Sequence, residues 1–203
     1  MLAAILLTHI CQTALSATDF FPLKTGTVIT YEDKKSGDQI QRIVGNPLDM
    51  GGVAVVPLID KQGGRQVATT YYRVDSDMVS VVAYDIKHPL SPTMTLFRIS
   101  PSGASWEYSG KTKVGPEGER LLAKGDSRSL GMKEYLGKKV EAIEVKTTSR
   151  IGVGISSLKV ESTAIYAKGL GLVEWTDKRT LGNTRKSMIS GYKIMSYDES
   201  SKG

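Results

Sequence analysis

Between Leu158 and Tyr166 the chain alternates. Leu158, Val160, Ala164 and Tyr166 fall on one side and Lys159, Glu161 and Thr163 on the other. A repeat of two places successive side chains on opposite faces of a strand, so this run predicts a sheet with one dry and one wet face. Similar short runs recur from Phe20 onward: TVITYED, QIQRIV, VAVVPLI, QVATTYYRV, MVSVVAY, TMTLFRI, SWEYSG, KVEAIEVKT, GLVEWTD and SMISGYKIMSY. Turn residues separate them, among them Lys35-Ser36-Gly37-Asp38, Lys61-Gln62-Gly63-Gly64 and Asp75-Ser76-Asp77. The spacing predicts a mainly β protein: a single curved antiparallel sheet, half-barrel or barrel, of about ten strands, with at most one or two short helices.

Two stretches depart from plain alternation. Val53–Ile59 is apolar on both faces and carries Pro57, which predicts an edge or a bulge there. From Gly115 to Gly137 the pattern admits a helix, in EGERLLAK and SLGMKEYLG, and one short helix or a covering loop is expected. In AKGLGLVEW, Gly169 and Gly171 invite a phosphate-loop reading. Such a loop needs a helix behind it, and LVEWTD is a strand pattern. The pair therefore predicts a turn, with a positive φ at Gly169 and a bulge or close backbone approach at Gly171.

The first 17 residues contain no charged side chain and run from an apolar stretch, Leu2 to Leu7, into Ala14-Leu15-Ser16-Ala17. This predicts residues 1–17 as a secretory signal cleaved near Ala17, and residues 18–203 as one antiparallel β domain, exported to the periplasm or beyond. Cys11, the only cysteine, falls inside the signal. The mature chain then has no disulfide, thiolate metal site or cysteine nucleophile. No later segment approaches the length of a membrane-spanning helix, and the mature chain is expected to be soluble. The formal charge of +6 permits an anionic partner without requiring one.

Candidate chemistry is sparse. His88 is the sole histidine after the signal, and with no cysteine it builds no transition-metal site. Asp75, Asp77 and Asp85 lack the later ligands of a calcium loop. No Gly-x-Ser-x-Gly elbow occurs. Carboxylates for a glycosidase-type pair are available (Glu32, Glu107, Glu134, Glu141, Glu144, Glu161, Glu174), but most sit beside lysines in alternating strands, as solvated faces do. No catalytic residue, cofactor or metal is expected. The aromatics Tyr71, Tyr72, Tyr84, Phe97, Trp106, Tyr166 and Trp175 are candidates to line an apolar concave face. Lys178, Arg179, Arg185 and Lys186, around Leu181-Gly182-Asn183, are candidates for an anion-binding hairpin tip. That tip lacks aromatics, which argues against nucleic acid.

Two segments, FFPLKTGTVITYE and STAIYAKGLGLVEW, resemble the opening and closing segments of exported bacterial proteins built on a curved antiparallel half-barrel, of the LolA-like periplasmic carrier type. The resemblance implies an exported location and a half-barrel fold more than an activity. Together these readings lead to a non-catalytic envelope binding or accessory protein, with lipid or another envelope component as partner and the oligomeric state open. The alternatives are a protein that meets an anionic polymer or membrane through its basic tip, and a hydrolase using strand carboxylates.

Overall fold

The computed structural model describes residues 15–112, 118–152, 157–182 and 187–199. Within them lie thirteen strands: β1 (Val28–Asp33), β2 (Gln39–Val44), β3 (Leu48–Asp49), β4 (Ala54–Gln62), β5 (Arg65–Val74), β6 (Met78–Ala83), β7 (Pro89–Arg98), β8 (Ala104–Lys111), β9 (Arg120–Tyr135), β10 (Lys138–Ile151), β11 (Leu158–Ala167), β12 (Gly171–Leu181) and β13 (Ser187–Asp198). The one helical element among the described residues is a 3₁₀ turn, Ala17–Phe20.

Twelve strands form one antiparallel sheet in the order β7-β6-β5-β4-β2-β1-β13-β12-β11-β10-β9-β8, and β3 pairs with β4 beside it. The chain thus builds one arm outward from β1 to β7, then the other inward from β8 to β13, and its last strand pairs with its first. The sheet curls into a nearly closed barrel. At the seam the Tyr108 hydroxyl donates to the Pro92 carbonyl at 3.3 Å, and Ser127 Oγ donates to the Arg98 carbonyl at 2.5 Å.

Ten or so strands were expected and the sheet is of the expected kind, but among the described residues between Gly115 and Gly137 the expected short helix or covering loop gives way to a strand. Arg120–Tyr135 is a single 16-residue strand. Its inward positions are Leu121, Ala123, Gly125 and Ser127, and its outward ones Arg120, Leu122, Lys124, Asp126 and Arg128. Three of the inward residues are small, and at Gly125 the reason is the indole of Trp106, which an added Cβ would meet at 2.4 Å. Smallness disguises the apolar phase. Pro57 also differs from a simple edge position. It lies inside the sheet, where β4 passes from pairing with β2 (Val44 opposite Leu58) to pairing with β3 (Leu48 opposite Val55). A residue without an N–H is tolerated at such a break in the ladder.

The 3₁₀ turn spans one end of the barrel. The Ala17 amide donates to the Ser76 carbonyl in the β5–β6 turn at 2.8 Å, and the Gly169 amide in the β11–β12 turn donates to the Asp19 carbonyl at 2.7 Å. Ala17 and Phe20 are wholly buried, and Leu15 packs on the same cluster. A chain starting at Thr18 would lack the Ala17 bond. The closing turn carries the glycine pair: Gly169 and Gly171 have φ of +75° and +76°, and a Cβ on Gly171 would lie 2.6 Å from the Pro22 ring. The plug and this turn fit only because that side chain is missing.

Candidate functional site

Above the plug, the inward faces of the two arms meet around aromatic rings. Phe21 packs on Tyr72 with centroids 5.0 Å apart, Phe97 on Tyr166 at 4.5 Å, Tyr31 edge-on to Trp175 at 4.9 Å, and Trp175 stacks on Tyr192 at 4.5 Å. The lower part of this interior is filled by Val44, Leu58, Val79, Val81, Phe97, Trp106 and Val145, all buried. Higher up, a cavity of about 220 Å³ remains between the arms. Its apolar wall includes Phe21, Tyr31, Leu58, Tyr72, Leu96, Ala164, Tyr166, Leu172 and Trp175, and its polar wall Arg42, Ser162 and Asp177.

The polar wall follows from strand alternation. Arg42 stands two residues beyond Val44, Asp60 two beyond Leu58, Ser162 two from Ala164 and Asp177 two beyond Trp175, each one step further from the plug on the same inward face. Arg42 and Asp60 are direct cross-strand partners. The Arg42 guanidinium donates from Nε to Asp60 Oδ1 at 2.7 Å and from Nη2 to Oδ2 at 2.9 Å, with side chains only 17% and 19% exposed. This two-pronged geometry is the strong form of an arginine–carboxylate contact. Burial works against the guanidinium's charge, but the bonds from Asp60 outweigh it and hold the group above its ordinary pKa. Arg42 also lies over the Tyr31 ring, 5.7 Å from its centroid. Opposite, Ser162 Oγ donates to Asp177 Oδ1 at 2.7 Å, and Arg179 approaches Asp177 at 3.4 Å.

Burial also sets the phenols. Desolvation pushes Tyr31 up to about 12 and drives Tyr72 and Tyr166 above their ordinary value, so all three are protonated hydrogen-bond donors at neutral pH. The Tyr31 hydroxyl donates to the Leu172 carbonyl at 2.9 Å.

Of the expected lining residues, the structure brings Tyr72, Tyr166 and Trp175 to the cavity. Phe97 and Trp106 belong to the packed core below it. Tyr71 takes the opposite phase of β5 from Tyr72 and faces outward, and Tyr84 sits half-exposed in the turn after β6. The basic cluster divides. Lys178 and Arg179 lie in β12 rather than at a tip, and alternation sends them to opposite faces, Lys178 toward Glu161 outside and Arg179 toward Asp177 inside. Arg185 and Lys186 lie outside the described residues, as do Cys11 and the stretch 1–14 of the expected export signal.

Arg42 and Asp60 were not among the expected site residues. Their signal is present in the sequence: in Ile40-x-Arg42-x-Val44 and Leu58-x-Asp60, opposite charges occupy the apolar phase of neighbouring strands. A charge in phase with core residues is either paired or costly.

Larger depressions occur on the outer face of β8–β11, one of about 680 Å³ along Glu107, Leu122, Lys124, Arg150 and Lys159. Its wall mixes these charges with Tyr108, Ala123 and Leu122, without the group of aromatic rings that lines the interior cavity. Among the described residues no group of His, Cys, Asp and Glu side chains has the arrangement of a metal site, and no helix is long and apolar enough to cross a membrane. Comparison of the chain with protein-family models, curated proteins and solved structures finds no match.

Proposed function

We propose that this protein is an exported, non-catalytic component of the bacterial envelope that holds a small apolar or amphiphilic ligand inside its barrel. The observation that carries this reading is the cavity of about 220 Å³, walled by Tyr31, Tyr72, Tyr166 and Trp175 and floored by the packed plug. Apolar, concave, largely preformed spaces with a few placed polar groups are the usual form of small-molecule sites. The outward faces of the same strands carry charges, as with Glu161 of β11 and Lys178 of β12, so the dry surface available to a ligand is the inner one. At the cavity wall Arg42 is held by Asp60 and Ser162 by Asp177, which fixes the placed polar groups beside the aromatic rings. The likeness of both chain ends to LolA-like exported half-barrels points the same way.

Trp175 supplies the readout, since it lines the cavity while Trp106, the other tryptophan, is in the core. Titration with alkanols and alkanoates should give a saturable change in tryptophan emission that is lost in Trp175→Phe. Native mass spectrometry of protein purified from its own cells should show a small co-purified mass. A clean apo mass together with no saturable response to either series would overturn the proposal.

A further inference from the structure

The cavity holds one charge that apolar binding alone does not use. A guanidinium has five N–H groups, and Asp60 occupies two of those on Arg42. The side of Arg42 that lines the cavity is the arginine's, while Asp60 does not reach the cavity wall. The carboxylate behind it fixes the guanidinium in place and keeps it charged without filling the space in front.

Across the same space stands Tyr166, 4% exposed, whose hydroxyl makes no hydrogen bond among the described residues. The comparable hydroxyl of Tyr31 is already bonded to a backbone carbonyl. That hydroxyl is not among the closed-off polar atoms left without a partner, so it is open to the cavity and free to donate to a ligand there. The other acid at the wall, Asp177, is already held by Ser162 and Arg179. The cavity therefore offers spare donors on Arg42 and Tyr166 beside an aromatic wall, while its one lining acid is already paired.

We propose that Arg42 and Tyr166 receive the carboxylate of a small monocarboxylic acid whose hydrocarbon part fills the aromatic cavity. This rests on the reading of that cavity as a ligand site. The volume of about 220 Å³ equals that of about seven waters, at roughly 30 Å³ each. It suits a single short or medium chain, or one aromatic ring, and not a two-chain lipid. The rigid Asp60–Arg42 fork means that little ordering is needed on binding.

The test is calorimetric titration of the full chain with octanoate, octanol and octylammonium at neutral pH and fixed salt. These share a tail and differ in the head. Octanoate is expected to bind at least about tenfold more tightly than octanol, the effect of a charge-assisted hydrogen bond. Tyr166→Phe, which removes an unbonded hydroxyl and leaves the ring, should weaken octanoate about fivefold or more and leave octanol unchanged. Octanol binding as tightly as octanoate would overturn the carboxylate proposal while leaving the ligand cavity standing. Tightest binding of octylammonium would overturn it too, by showing that Asp177 reads the head. Binding of none of the three would remove the cavity reading and the carboxylate with it.

Discussion

The two ends of the barrel interior are made by the same strands and stabilised by different physics. At the plugged end, Phe20, Val44, Leu58, Val79 and Phe97 are buried in one hydrophobic cluster. Two residues further from the plug than Val44, Leu58, Ala164 and Trp175 on their strands, the inward positions are Arg42, Asp60, Ser162 and Asp177, and Arg42 bonds Asp60 as Ser162 bonds Asp177. Apolar packing tolerates the loss of a group in proportion to the volume removed. A buried charge pair does not, because each member is stable only while the other is present. The candidate site lies on the border between these regimes, where an aromatic wall meets a fixed charge.

The largest expected effect breaks the comparison at that border. Arg42→Met leaves Asp60 buried without its partner and should cost about 3–5 kcal/mol in urea unfolding. Arg42→Met combined with Asp60→Leu should recover most of that loss, because both ends of the barrel would then be apolar. A double variant as unstable as the single one would mean that the pair contributes more than mutual neutralisation.

At the plugged end the next effect comes from backbone. Gly171→Ala forces a side chain into the left-handed region and against Pro22, and should cost about 3 kcal/mol. Gly169→Ala meets the same backbone penalty with open space around it and should cost about 1 kcal/mol. Thermal unfolding of the two variants side by side isolates how much the fit of plug to turn contributes. Equal shifts would show that the contact with Pro22 relaxes freely.

Between the two ends, Tyr31→Phe keeps the ring against Trp175 and removes the hydroxyl that satisfies the Leu172 carbonyl. A loss of about 1–2 kcal/mol is expected by denaturant titration. The neighbouring ladder explains why that carbonyl needs a side chain: the β11–β12 register shifts between Ile165 and Tyr166.

These elements differ in how openly the sequence declares them. The alternation of Leu158–Tyr166 is legible because Leu158, Val160 and Tyr166 are large apolar residues in one phase, and the glycine pair because a strand pattern follows it. β9 is hidden: its inward Ala123, Gly125 and Ser127 are small, Gly125 to admit Trp106, so the period of two vanishes from a scale that counts apolar bulk. The strand off the main sheet order, β3, is a two-residue bridge close to Pro57, too short to show a period. At the site, Tyr72, Tyr166 and Trp175 are legible as aromatics in strands. Tyr71 and Tyr72 cannot both face inward, and only the register decides between them. Arg42 and Asp60 are legible singly as misplaced charges, but their pairing depends on β2 lying beside β4, a fact of topology. Lys178 and Arg179 teach the converse, since a cluster in sequence within a strand is two faces in space.

The smallest effect separates burial of a charge from burial of its partner. Glu144, on the outer face of β10, is 14% exposed, about as buried as Asp60, but its partners Arg128 and Lys146 are 61% and 51% exposed. Burial raises its pKa, and the hydrogen bonds from Arg128 and Lys146 outweigh that and hold the carboxyl below its usual range. Because the folded value is depressed, the carboxylate contributes stability above the unfolded value of about 4.3 and loses it as pH falls through the lower folded one. Solvated partners keep the contribution small, so Glu144→Gln should cost about 1 kcal/mol or less at neutral pH. That difference should shrink toward zero when urea midpoints are compared again near pH 3. Asp60→Asn, at nearly the same exposure, should cost several times more, because it strands the buried guanidinium of Arg42. If the two substitutions cost the same, the carboxylate's own burial would set the energy, and the contrast between the barrel's paired interior and its wet exterior would lose its physical basis.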